Sequence, residues 1–151
     1  MLLHNQTQAI QRMNTLAKEG KDFFFIINYR ADSAYIEEFT NIDPRELLFS
    51  FPTLSNIPKA ESYSNEAVEW HTEPPTREDY EHRINLVKQR EREGDSYLAN
   101  LTCKIPVRTN LSLHDIFMRS KALYRCWMKE KFVCFSPEIF VRINREGLIS
   151  S

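Results

Sequence analysis

Gly94-Asp95-Ser96-Tyr97-Leu98-Ala99-Asn100-Leu101-Thr102-Cys103-Lys104-Ile105-Pro106-Val107 is the stretch on which the reading of this 151-residue chain turns. Gly94-Asp95 reads as a helix stop, because glycine takes the left-handed backbone that closes a helix. From Tyr97 onward the residues alternate. Tyr97, Ala99, Leu101, Cys103, Ile105 and Val107 fall on one side, and Leu98, Asn100, Thr102, Lys104 and Pro106 on the other, the period of a β-strand. The second side offers amide, hydroxyl and ammonium groups. It can line a ligand cleft, or it can be the wet face of a half-solvated antiparallel strand, which is the commoner arrangement.

Upstream, Thr76 with Asp79 three residues later opens a helix after Pro74-Pro75. Tyr80, Ile84 and Val87 recur at i, i+4, i+7, so the helix carries one apolar stripe to about Arg92. Glu81, Lys88, Glu91 and Arg92 read as its solvated face. Residues 50–75 hold Pro52, Pro58, Pro74 and Pro75 among Ser, Asn and Glu, and read as a long connection. Trp70 either pins that connection to the body or sits on a short strand with Val68. Nearer the start, residues 5–19 read as a helix stopped by Gly20. Phe23–Tyr29 is dense enough in aromatic and branched residues for a buried strand, joined through Arg30-Ala31-Asp32-Ser33 to a second strand at Ala34–Phe39. Asp43-Pro44-Arg45-Glu46 looks like a short helix start.

Downstream, Ser112 with Asp115 opens a helix containing Leu113, Ile116, Phe117 and Leu123. Residues 131–135 are apolar on both faces, as in a central strand, and Ile139, Val141 and Ile143 alternate into another. Arg145-Glu146-Gly147 turns the chain and Leu148-Ile149 begins a partner strand. The sequence stops there, so it is expected to be the first portion of a longer domain. Three regions result: 1–51 with a hairpin, 52–75 as linker, and 76–151. Between the strand at 131–135 and the one at 139–143 stands Ser136-Pro137-Glu138. Glu138 directly after a buried strand is a candidate general acid, since burial disfavours a charged carboxylate. Ser136 as helix cap with Pro137 at the first helical position is the structural alternative.

Composition narrows the function. Hydrophobic residues make up 42% and charged residues 27%, an ordinary globular balance. Twenty Lys and Arg against 21 Asp and Glu leave no basic field for nucleic acid or anionic lipid, so neither is expected as a partner. Gly20, Gly94 and Gly147 are the only glycines, too far apart for a phosphate cradle. Cys103, Cys126 and Cys134 are odd in number and make no CxxC pair, so reduced core thiols are expected. His4, His71, His82 and His114 lack metal-ligand spacing. The first residues do not form a signal peptide and the longest apolar run, Phe23–Ile27, cannot span a bilayer, so a cytoplasmic, soluble protein is expected.

A helix ending in Gly94-Asp95, then Tyr97-Leu98-Ala99-Asn100-Leu101-Thr102, then Ser136-Pro137-Glu138 and Phe140, resembles the chorismate-binding enzymes. That family includes anthranilate synthase component I, isochorismate and salicylate synthases, and the aminodeoxychorismate synthases of para-aminobenzoate and folate formation. The resemblance is strongest over residues 74–151, and Asn100-Leu101-Thr102 points to the para-aminobenzoate branch. It implies an α+β fold, part of a two-layer antiparallel β-sandwich with outer helices. It implies Glu138 as the acid that protonates a departing ring hydroxyl, with Asn100, Thr102 and Ser136 binding substrate. It further implies chorismate as substrate, a glutamine amidotransferase supplying ammonia, and Mg²⁺ whose ligands, like the ring-attacking lysine, lie beyond Ser151. Two departures stand out: Leu98 replaces a common glutamine, and the serine motif for tryptophan binding is missing. Two alternatives remain: anthranilate synthase component I or another chorismate-utilising enzyme, and a non-catalytic α+β interaction domain using Trp70, Trp127 and the 50–75 loop.

Overall fold

The computed structural model describes residues 2–59, 66–136, 141–143, 147 and 149–150. The chain divides into two units, one of residues 1–64 with 113–151 and one of residues 65–112.

In the first unit, strand β1 (Leu3–His4) leads into helix α1 (Gln6–Lys18). Asn5 and Gln8 cap the helix reciprocally, each side chain accepting from the other's backbone N–H at 3.0 Å. Gly20 ends it at φ +66, where a side chain would be strained. Strands β2 (Phe23–Ile27) and β3 (Ala34–Glu38) pair antiparallel, and with β1 they form a sheet in the order β1-β3-β2. The turn between them is tied by Asn28, whose Oδ1 accepts from the N–H groups of Asp32 and Ser33. Phe23–Tyr29 was expected as a buried strand; β2 instead stops at Ile27 and lies at the sheet edge. Phe24 and Ile26 turn into the core while Phe25 stays 52% exposed.

A second antiparallel sheet has the order β5-β4-β8-β9, with β4 at Leu47–Phe51, β5 at Leu54–Ser55, β8 at Arg125–Met128 and β9 at Phe132–Phe135. Its face bearing Leu47, Phe49, Cys126 and Met128 packs on Tyr35, Phe24 and Ile26 of the first sheet. The Phe24 and Phe49 rings stack at 4.9 Å. Its other face, Leu48 and Trp127, is covered by Phe117 of helix α3 (Leu113–Arg119). Ala9 and Leu16 of α1 cover Ala34 and Ile36 on the outside of the first sheet. The unit is therefore α+β, two antiparallel sheets face to face with a helix outside each. Full burial of side chains such as Leu47, Leu48 and Phe49 contributes about 1.5–3 kcal/mol apiece.

The two middle strands, β4 and β8, did not emerge from the sequence pattern. Asp43-Pro44-Arg45-Glu46 forms a turn and not a helix start: the Asp43 carbonyl accepts from the N–H groups of Glu46 and Leu47, both at 3.0 Å, and the chain passes straight into β4. The Arg45 guanidinium grips the Asp43 carboxylate, holding its pKa down at about 2. Residues 131–135, expected as a central strand, form β9 at the end of the sheet order. Where β5 ends, the Asn56 amide takes over the edge of β4: its Oδ1 accepts from Phe49 N–H and its Nδ2 donates to Leu47 C=O, both at 2.8 Å. Leu123, expected inside the helix after Ser112, lies past its end and is exposed.

The second unit holds β6 (Trp70–Thr72), helix α2 (Arg77–Glu93) and β7 (Val107–Thr109), with β6 and β7 paired antiparallel. Two short strands, β5 and β6, thus fall inside the 50–75 stretch, and Trp70 sits on β6 without Val68. Thr76 caps α2, accepting from Asp79 N–H at 3.1 Å, and Gly94 ends it at φ +86. Among the described residues of this unit, none is buried. Last in the chain, β10 (Arg142–Ile143) pairs antiparallel with β11 (Ile149–Ser150), around Gly147 at φ +78. Ile139, expected in the first of these strands, lies outside the described residues.

Candidate functional site

Residues 97–106 do not form the expected strand; only Val107–Thr109 is extended and paired. Two physical causes are visible. The Ser96 hydroxyl donates to Leu98 C=O at 2.7 Å and accepts from Leu98 N–H at 3.3 Å, curling the chain locally. Among the described residues, no neighbouring strand supplies a ladder for 97–106. Alternation fits a strand but does not create one without a partner for the backbone groups.

The segment instead runs beside α2. Leu98, Ala99, Asn100 and Leu101 line a groove of about 710 Å³ with Tyr80, Ile84, Val87, Lys88 and Glu91 of that helix. The apolar stripe of α2 forms its floor. Lys88 and Glu91, read from sequence as part of the solvated face, flank the same groove. Their spacing from Ile84, i+4 and i+7, was the signal: both sit on the edge of the stripe.

Asn100 and Thr102 come together here. The Thr102 hydroxyl donates to Asn100 Oδ1 at 3.5 Å. That contact leaves the Asn100 Nδ2 donors without a protein partner among the described residues. Ser136 belongs to the other unit, where β9 ends. Its N–H donates to Tyr124 C=O at 2.7 Å, and it takes φ +47, a left-handed backbone unusual for a residue with a Cβ. Ser136 is therefore a strand-ending corner. Glu138 lies outside the described residues. Trp127 is buried against Leu48 and Phe117, so it cannot serve as a docking surface, whereas Trp70 is half-exposed. Cys103, Cys126 and Cys134 are all free thiols.

Among the described residues, no group of His, Cys, Asp and Glu is arranged to hold a metal ion. No helix among the described residues is long and apolar enough to cross a membrane.

The family model for chorismate binding enzymes matches residues 9–151, and the chain belongs to that family. It is 30% identical over 139 residues to an uncharacterized PabA-like protein of Pasteurella multocida, covering 92% of this chain and 43% of the relative. It is also 30% identical over 146 residues to an uncharacterized PabA-like protein of Haemophilus influenzae, covering 93% of this chain and 42% of the relative. The chain thus spans about two-fifths of the length of the curated relatives it matches. No solved structure gives a significant match.

Proposed function

We propose that the chain contributes the first part of an aminodeoxychorismate synthase, which aminates chorismate to 4-amino-4-deoxychorismate on the way to para-aminobenzoate and folate. The observation that carries this reading is Asn100, set in the Asn100-Leu101-Thr102 motif after Gly94-Asp95 and presenting unengaged amide donors beside the groove. The likeness to two PabA-like proteins supports it.

In this reading Asn100 and Thr102 hold oxygen atoms of the substrate. Thr102 fixes the amide so that Nδ2 donates outward. Ser136 turns the chain at the end of β9 and presents a hydroxyl to the substrate, and Glu138 follows two residues later. Glu138 protonates the ring hydroxyl as it departs, so that water leaves and not hydroxide. General-acid help of this kind is worth about 10²–10⁴ in rate. A glutamine amidotransferase supplies the ammonia. Mg²⁺ would supply charge neutralisation at the substrate carboxylate, held by ligands expected beyond Ser151.

The test is genetic and chemical together. Disrupting the gene in its own host is expected to create a requirement for para-aminobenzoate and none for tryptophan. A tryptophan requirement, with fluorescent anthranilate formed from chorismate, replaces the reading with anthranilate synthase. No nutritional requirement, with no chorismate bound by the purified protein, replaces it with an interaction domain. The 151-residue chain by itself is expected to release no product from chorismate and ammonium.

A further inference from the structure

Strands β8 and β9 set Cys126 directly opposite Cys134. Both side chains lie on the core face of the sheet, in the cluster with Phe49 and Met128. The ladder fixes their spacing. Ser136 N–H donates to Tyr124 C=O, and two residues along each strand stand Cys134 and Cys126, so theirs is a hydrogen-bonded pair. Such pairs hold their Cα atoms about 5.5 Å apart, inside the roughly 4.4–6.8 Å that a disulfide bridges.

We propose that Cys126 and Cys134 form a reversible oxidation site, closed into a cross-strand disulfide by hydrogen peroxide. Cys134 is the less buried of the two and reacts first. Its sulfur attacks one peroxide oxygen, the O–O bond breaks, and the departing oxygen takes up the thiol proton and leaves as water. Cys134 is then a sulfenic acid. The Cys126 sulfur attacks that sulfur, the S–O bond breaks, and the hydroxyl leaves as a second water with the Cys126 proton. Two thiols lose two electrons and two protons, and one peroxide becomes two waters.

Two features set the character of the site. Burial pushes the Cys126 thiol up to about 12 and raises Cys134 as well. Only the thiolate is nucleophilic, so closure is slow at neutral pH and quickens with alkalinity. A hydrogen-bonded register also holds the Cβ atoms wider than the roughly 3.8 Å of a relaxed disulfide, so the bond closes under strain and reopens readily. Once formed, it pins the open end of the hairpin, two residues before Ser136. This inference does not depend on the proposed reaction.

The experiment treats the whole chain with hydrogen peroxide, alkylates the remaining thiols and maps peptides without reduction. The expected product is a peptide pair joined through Cys126 and Cys134, with Cys103 alkylated. Dithiothreitol should reverse it, and Cys103→Ser should leave it intact. The closure rate should rise about tenfold between pH 7 and pH 8, the gain in thiolate per unit below the pKa. Cys134→Ser should abolish the link; the mapping on unmodified protein and on Cys103→Ser stands whether or not that variant folds. Irreversible sulfinate at Cys134, or disulfides through Cys103 with Cys126 and Cys134 still alkylatable, would overturn the proposal.

Discussion

The unit of residues 1–64 with 113–151 and the unit of residues 65–112 are held together by different physics. The first buries Leu47, Leu48, Phe49 and Phe117 completely, between and outside two sheets. The second has no buried residue among those described, and its 17-residue helix stands on local terms. Those terms are the Thr76 cap, the Gly94 stop and ion pairs such as Arg77–Glu81 at 2.6 Å. Exposed pairs of this kind add only about 0.2–0.5 kcal/mol each, and an isolated helix of such length is marginal. The difference teaches that order can come from burial in one part of a chain and from end-chemistry in another. The part that carries Asn100 is the second kind.

The contrast can be broken at several points. Phe49→Ala should cost about 3–5 kcal/mol in denaturant unfolding, since its ring stacks on Phe24 and meets Phe51 at a tilt in a filled core. A loss below 1 kcal/mol would mean that the sheets are not closely packed. Thr76→Ala should cost about 1 kcal/mol, felt as faster amide exchange along α2 with β4 and β8 unchanged. Equal protection of Val87 and Trp127 amides in the unmodified protein would erase the contrast. Leu98→Ser, at an 88% exposed position, should change stability by less than about 0.5 kcal/mol. The smallest effect is the acid limb at Asp43. Its folded pKa of about 2 lies below the ordinary 3.8, so the stabilisation from Arg45 is complete above about pH 4 and disappears as pH falls through about 2. Carboxyl titration by NMR should show this, and Arg45→Ala should raise the Asp43 pKa part of the way, since the backbone N–H of residue 45 still donates to the carboxylate.

The same division explains what could be read in advance. Caps and stops are written within a few residues: Asn5, Gly20, Thr76 and Gly94 each mark a helix end where the sequence places one. The layers were implied by the family resemblance and not by any local pattern. The middle strands, Leu47–Phe51 and Arg125–Met128, are short and pair across some 80 residues, so no window of sequence contains the partner that defines them. Tyr97–Ile105 shows the converse, a strand-like alternation with no strand beside it among the described residues; pairing begins only where Pro106 C=O accepts from Glu73 N–H at 3.0 Å. At the candidate site, Asn100 and Thr102 meet without the strand that was expected to align them. The groove itself required knowing that Leu98–Leu101 lies along α2.

The Asn56 amide has a consequence for how the molecule keeps its own company. By occupying Phe49 N–H and Leu47 C=O, it closes the one stretch of β4 that β5 is too short to reach. A foreign chain approaching that border finds its docking bonds already taken. Replacing Asn56 with leucine would keep the bulk but uncover the template, and the penalty would be read as clumping at high concentration before it was read as a lower melting point.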